Sequence, residues 1–313
     1  MSQRSTRTLS AWLLTERRCG WSINPQTWTW HGRDVDVFIA GEALAAGHVT
    51  RYSLAVDYCR LLPGVYAPKR GQLSLDDRIK AAWLWSRRRG VISGWAASAL
   101  HGAKWVDPNT PIELNLAHNK SPSGVVTRRD NVTDDEITHR LGMAVTTAER
   151  TAFDLARRGS LDSAVARLDA LARATHFKSD DVVALADEHR KVRGRRRVPD
   201  VLAMVDEGAQ SPKETWLRLL LVEAGFPRPR TQIPVCAPDG YPLYYLDMGW
   251  PEFKVAVEYD GEQHRTDTGQ YRGDVTRSEY IEALGWRRIR VLAGHRGPDI
   301  VRRVARAGVP RSR

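Results

Sequence analysis

The chain reads as an α/β protein in two parts: an α+β N-terminal part that opens with a winged helix-turn-helix, and a C-terminal domain on a mixed sheet. Three observations predict this. From Phe38 the periodic pattern sharpens, and helical and strand segments alternate. Residues 42–67 run helix, short turn, helix, strand, the order of a winged helix-turn-helix. From residue 211 the order is helix, strand hairpin, helix, strand, so an antiparallel pair and a strand–helix–strand crossover share one sheet.

Composition bounds the reading. At 313 residues and 42% apolar, the chain is long enough for two cored domains. A net charge of +11 favours a polyanionic partner, nucleic acid before membrane, and the arginine-rich excess suits bidentate phosphate contacts. Cys19, Cys59 and Cys236 are odd in number and widely spaced, which argues against a disulfide framework or zinc knuckle and for a reducing cytoplasm. No apolar run approaches the roughly 18 residues of a membrane span, and no secretory pattern opens the chain. The expected protein is cytoplasmic, with no membrane partner.

Residues 1–38 are Arg/Ser/Thr-rich, then Trp-rich, and form an extension without an assignable role. The winged helix-turn-helix spans 39–75. Glu42–Ala46 is its first helix, Gly47–Thr50 the turn, and Arg51–Arg60 the second helix, capped by Thr50. Leu61–Ala67 leads into a short strand. Arg51, Tyr52 and Ser53 open this recognition helix and Arg60 ends it, so these are the candidate DNA contacts. The bland alternative is a helical hairpin with a solvated basic face.

Residues 76–177 read as an α+β scaffold. Helices are expected at 76–89, 93–100, 147–158 and 161–174, with Pro111–Leu116 a strand beside Val125–Arg129. Residues 178–210 are a basic linker, where Arg195, Arg196 and Arg197 close a dense cationic run. That run is equally a solvated linker or a strap along phosphates.

The chemistry concentrates in residues 211–313. Ser211-Pro-Lys-Glu214 is a capping box, which explains Glu214 without any catalysis. Tyr241–Met248 and Val255–Asp260 flank the reversal Gly249–Glu252. On the second strand Glu258 and Asp260 share one face, and the simplest hairpin register sets Asp247 beside Glu258. Carboxylates this close repel unless a cation lies between them or one stays protonated. Facing oxygen donors suit Mg²⁺ or Mn²⁺, with water and substrate phosphate completing the shell. His264 follows the strand, its ordinary pKa suited to proton transfer. On the next helix, 270–284, Asp274 and Arg277 share a face that reaches back toward the strand ends.

The series Glu214, Asp247, Glu258-Tyr-Asp260-Gly, His264, Asp274-Val-Thr-Arg277 and Leu284-Gly-Trp286 resembles the PD-(D/E)xK, or restriction endonuclease-like, superfamily. It is most similar to the branch of very-short-patch-repair endonucleases. The resemblance covers roughly the last hundred residues. It implies metal on Asp247 and Glu258, support from Glu214, and assistance to water or phosphate from His264. It implies a metal-dependent endonuclease that nicks or cleaves DNA. The superfamily usually carries lysine two residues after the acidic strand position, where this chain has Asp260. The very-short-patch branch also lacks that lysine, so His264 or Arg277 is left to supply positive charge. Residues 39–175 resemble, less strongly, the winged-helix antitoxins of AbiEi-type systems. DNA is the expected partner, and a toxin or repair protein is left open. The alternative function is a DNA-binding transcriptional regulator or antitoxin with a degenerate nuclease fold.

Overall fold

The computed structural model describes residues 37–117, 120–260 and 268–311, and of 268–274 the backbone only. The architecture is mixed α/β, in two compact units that exchange segments of chain. Unit one holds Met1–Arg157 with Phe177–Arg195, and unit two holds Arg158–His176 with Arg196–Arg313.

Unit one begins with β1 (Phe38–Ile39), α1 (Ala40–Ala45), α2 (Arg51–Asp57), β2 (Tyr58–Leu62) and β3 (Val65–Pro68), giving an antiparallel sheet of order β1-β3-β2. Thr50 caps α2 reciprocally: its hydroxyl accepts the Ser53 N–H (3.0 Å), and the Ser53 hydroxyl accepts the Thr50 N–H (2.9 Å). The second helix is shorter than its periodicity suggests. From Tyr58 the chain is strand, so Arg60 sits exposed on β2 rather than at a helix end. Pairing with β3 buries Cys59 and Leu62, and that burial outweighs helix propensity. The Lys69 ammonium donates to the carbonyls of Ala55 and Val56, both at 2.8 Å, and closes α2. The cysteine reading needs a correction here: Cys59 is disulfide-bonded, while Cys236 is free and exposed.

The rest of unit one carries α3 (Leu75–Trp85), β4 (Val91–Ser93), α4 (Gly94–Leu100), β5 (Ile112–Asn115), β6 (Val125–Arg128), β7 (Ile137–Arg140), β8 (Met143–Thr146), α5 (Ala148–Ala156) and α7 (Ser179–Glu188). The sheet order is β6-β5-β4-β8-β7, with β5/β6 and β4/β8 parallel. Helix α3 stops at Trp85, short of the expected Arg89, because Arg87 and Arg88 both turn left-handed. Behind the sheet lies a buried ionic network. Arg150, fully buried, donates to Glu136 Oε2 (2.5 Å), Asp154 Oδ2 (3.4 Å) and the Asn131 carbonyl (2.8 Å). Glu136 Oε1 meets His189 Nε2 at 2.5 Å, and His189 stacks on Phe153.

Unit two contains α6 (Leu161–Thr175), α8 (Val198–Ala203), α9 (Pro212–Glu223), β9 (Arg230–Cys236), β10 (Pro242–Trp250), β11 (Val255–Asp260), α10 (Thr268–Ala283), β12 (Arg287–Leu292) and α11 (Gly297–Arg306). The stretch 178–210, expected as a linker, is thus largely helical: α7 belongs to unit one and α8 to unit two. The sheet order β12-β11-β10-β9 is mixed, with β11/β12 parallel across α10. Strand β9 and helix α11 are additions to the expected order. One core joins Leu217 and Leu221 of α9, Met248, Trp250, Val255 and Val257 of the hairpin, and Ile300 and Val304 of α11. A second joins Leu246, Ala256, Ile281 and Trp286. Asp169 of α6 ties this unit together through Arg218 Nη2 and the Thr215 hydroxyl of α9, at 2.8 and 2.7 Å.

Candidate active site

The site is built from one helix start and three neighbouring strands of unit two. At the start of α9, the Ser211 hydroxyl accepts the Glu214 N–H at 3.2 Å. Glu214 returns the bond: Oε1 accepts from the Ser211 hydroxyl (2.9 Å) and Oε2 from the Gln210 N–H (2.9 Å). Burial pushes the Glu214 carboxyl above its ordinary range, opposed by those bonds and by Arg173. Capping therefore occupies Glu214, although the return bond reaches the Gln210 N–H and the Ser211 hydroxyl rather than the Ser211 N–H of a full capping box.

The β10/β11 ladder pairs Met248 with Val257, Gly249 with Ala256 and Trp250 with Val255. Continued one step, this is the register that sets Asp247 beside Glu258. The strands approach too closely for a side chain at Gly249, where a Cβ would lie 2.3 Å from the Val255 carbonyl oxygen. Past Met248 the contact is carried by a side chain: Asp247 Oδ2 accepts the Tyr259 N–H at 2.9 Å. Asp247 is the most perturbed group of the site. Burial first, and then the Glu214 carboxylate, push its pKa up to about 7, with Glu258 adding; the Tyr259 N–H and Arg277 pull the other way.

Glu258 is 8% exposed, and both its oxygens face arginines. Oε1 accepts from Arg277 Nη2 at 2.7 Å and Oε2 from Arg288 Nη1 at 3.2 Å. Arg277 Nη2 also reaches the Tyr245 carbonyl (2.9 Å), and its guanidinium lies 5.9 Å from the Tyr244 ring centroid. Asp260 Oδ2 meets Arg290 Nη2 at 2.5 Å. Arg288 and Arg290 were not anticipated. They stand on β12, whose parallel register places Arg288 beside Ala256 and Arg290 beside Glu258. Cationic charge thus surrounds Glu258. Lys254 lies apart, left-handed, with its ammonium 5.2 Å from the Trp286 ring centroid.

His264 lies outside the described residues, and so does the side chain of Asp274. Of the DNA-contact candidates, Arg51, Tyr52 and Arg60 are exposed, while the Ser53 hydroxyl is used in the cap of α2. Arg195 pairs with Asp187 (2.7 Å), Arg197 donates to the Gly159 carbonyl (2.7 Å), and Arg196 is exposed.

No family model and no solved structure matches the chain. Two uncharacterized proteins of Mycobacterium tuberculosis, from two strains, are each 28% identical to it over 145 residues, which is 46% of this chain and 53% of each relative. The chain spans about half the length of these curated relatives. Among the described residues no helix is long and apolar enough to cross a membrane.

The donor chemistry can be weighed directly. Among the described residues no group of three or more His, Cys, Asp and Glu side chains is placed to hold a metal ion. What remains is the pair Asp247 and Glu258, oxygen donors only, held on adjacent strands. Among the described residues Asp247 Oδ1 accepts no hydrogen bond, and its carboxyl is raised first by burial and then by the neighbouring anions. Oxygen donors of this kind are those a hard divalent cation takes, and both oxygens of Glu258 here accept from arginines.

Proposed function

We propose that unit two is a metal-dependent endonuclease acting on DNA, and that unit one docks DNA through a winged helix. The observation that supports this is geometric: the β10/β11 register sets the carboxylates of Asp247 and Glu258 on adjacent strands, beside the Glu214 carboxylate at the start of α9. Burial and the neighbouring carboxylates disfavour the ionised form of Asp247, and a divalent ion would stabilise it. Asp247 and Glu258 would hold Mg²⁺ or Mn²⁺, which lowers the pKa of an attacking water and neutralises phosphoryl charge. Arg277, partly exposed and bound through Nη2 to Glu258 and the Tyr245 carbonyl, would clamp the scissile phosphate. Arg288 holds the other oxygen of Glu258 and fixes that carboxylate's orientation. His264 would transfer protons, and Asp274 would orient it or Arg277. The resemblance to PD-(D/E)xK enzymes supports the same assignment.

One observation favours a second reading, a DNA-binding regulator or antitoxin with a degenerate nuclease fold. Arginines occupy both oxygens of Glu258 and one of Asp260, an arrangement that neutralises the acids without metal. Plasmid cleavage separates the two. Protein with Mg²⁺ or Mn²⁺ is expected to nick or cut DNA, and EDTA to abolish it. If neither duplex, mismatched nor single-stranded DNA is cut, the regulator reading stands.

The docking part has its own test. Arg51 is exposed at the start of α2, where the helix N-terminus also favours phosphate. Arg51→Ala is expected to weaken duplex binding and to lower the slope of log affinity against log salt by about one. Unchanged titrations at low and high salt would remove α2 from the interface.

A further inference from the structure

Helix α3 ends in an unusual way. The Arg88 N–H returns to the Trp83 carbonyl (3.1 Å) and the Arg87 N–H to the Leu84 carbonyl (2.9 Å), with Ser86 as C-cap. These are the paired bonds of a Schellman turn, whose first residue past the cap is left-handed and usually glycine. Here it is Arg87, at φ 56, and Arg88 follows at φ 62. Two successive side chains in this region strain the backbone, and such strain persists only where the surroundings impose it.

Two sets of contacts accompany the turn. The Ser86 hydroxyl donates to the Trp83 carbonyl (2.6 Å) and accepts the Gly90 N–H (3.0 Å). Arg88 forks onto Glu42 of α1, Nη1 to Oε1 at 2.6 Å and Nη2 to Oε2 at 2.7 Å. With Arg88 anchored this way, its exposed neighbours Arg87 and Arg89 line a cavity of about 460 Å³. Trp85, Lys120 and, from the β2–β3 turn, Pro63 also line it. Among the described residues neither Arg87 nor Arg89 makes an ion pair.

Three cationic side chains beside an indole and a proline ring match one kind of ligand. Guanidinium groups recognise phosphate oxygens in pairs, and an indole offers a face to a base or sugar. We propose that this cavity binds a nucleotide, its phosphate met by Arg87, Arg89 and Lys120 and its base or sugar resting against Trp85. Nothing in this proposal depends on the carboxylates of unit two. The nucleotide is either free or one unit of a single strand, and the two sources are distinguished by experiment.

The test uses the full chain, a fluorescein-labelled oligothymidylate read by anisotropy, and deoxyadenosine monophosphate read by calorimetry. The variant is Arg87→Gly with Arg89→Ala, since glycine relieves the left-handed strain and the protein should melt no lower than wild type. The control, Lys104→Ala with Arg140→Ala, removes the same charge from exposed positions elsewhere in unit one. The cavity variant is expected to weaken binding about tenfold or more and to lower the salt slope for the oligonucleotide by about two, with the control near wild type. Loss of both probes marks a free-nucleotide site, and loss of the oligonucleotide alone marks a strand site. Equal weakening by the control pair, or no binding of either probe by wild type, overturns the proposal.

Discussion

Asp247→Asn is expected to do two opposite things: abolish cleavage and raise the melting temperature of the metal-free protein at pH 8. The stability half follows from the sign of the perturbation. The Asp247 carboxyl sits at about 7 in the fold, well above its ordinary value of 3.8. The folded chain therefore binds this proton more tightly than the unfolded chain does. Below pH about 4 both states are protonated and no penalty exists. Between about 4 and 7 the unfolded chain releases the proton while the fold keeps it, so stability falls as pH rises. Above about 7 the full penalty remains, on the order of 4 kcal/mol. Asparagine can still accept the Tyr259 N–H but carries no charge, so the penalty disappears. The measurement is a thermal melt of both proteins in EDTA from pH 4 to 8. Curves that converge at low pH and separate as pH rises are expected. An Asn variant that melts lower at every pH would mean that Asp247 is a structural anion already compensated in the fold. The activity half is a loss of about a hundredfold or more, as for removal of a group that acts at the reacting centre.

The same geometry warns against the simplest nuclease knockout. Glu258→Ala would strip Arg288, only 9% exposed, of a carboxylate partner, so a dead enzyme could merely be an unstable one. Glu258→Gln keeps shape and acceptor capacity on one oxygen, and is the better variant for separating chemistry from folding.

Arg150→Ala should have the largest effect on stability in unit one. Arg150 is fully buried and serves two carboxylates, Glu136 and Asp154, that are themselves 2% exposed in their side chains. Breaking such a network strands charge in a low-dielectric interior, at a cost of about 3–5 kcal/mol. For a unit of this size that is a fall of roughly 10 °C in its thermal transition. His189 and Thr133 still reach Glu136, and Arg157 still reaches Asp154, so the loss is partial. A transition unmoved by Arg150→Ala would show that the remaining partners absorb the charge.

What could be read from the sequence follows the range of the forces involved. The Ser211 cap on Glu214 was legible because that bond lies within Ser211–Glu214, whereas the return bond to the Gln210 N–H falls outside the pattern. The Asp247/Glu258 register was legible because the reversal between the strands is short and fixes which residues oppose. Arg288 and Arg290 were hidden for the converse reason. They reach the site through a parallel pairing across the whole of α10, and no local pattern fixes that register. The end of α2 was misjudged because Tyr58–Arg60 suits either period, and only pairing with β3 decides. The short strands β4, β7 and β8 carry three or four residues each, too few to reveal a period. The turn at Arg87–Arg88 contradicts local preference altogether, and only the Glu42 and Ser86 contacts account for it.

The central claim is that neighbouring acidic strands grip a hard cation. Titrating MnCl₂ into the protein at pH 7 by calorimetry, in two buffers of different ionisation enthalpy, tests it most directly. Saturable uptake with release of protons, lost in Asp247→Asn, is the expected result, because the ion displaces the proton that burial and Glu214 hold on Asp247. Absence of uptake, with and without DNA, would contradict the claim and leave only a DNA-docking protein.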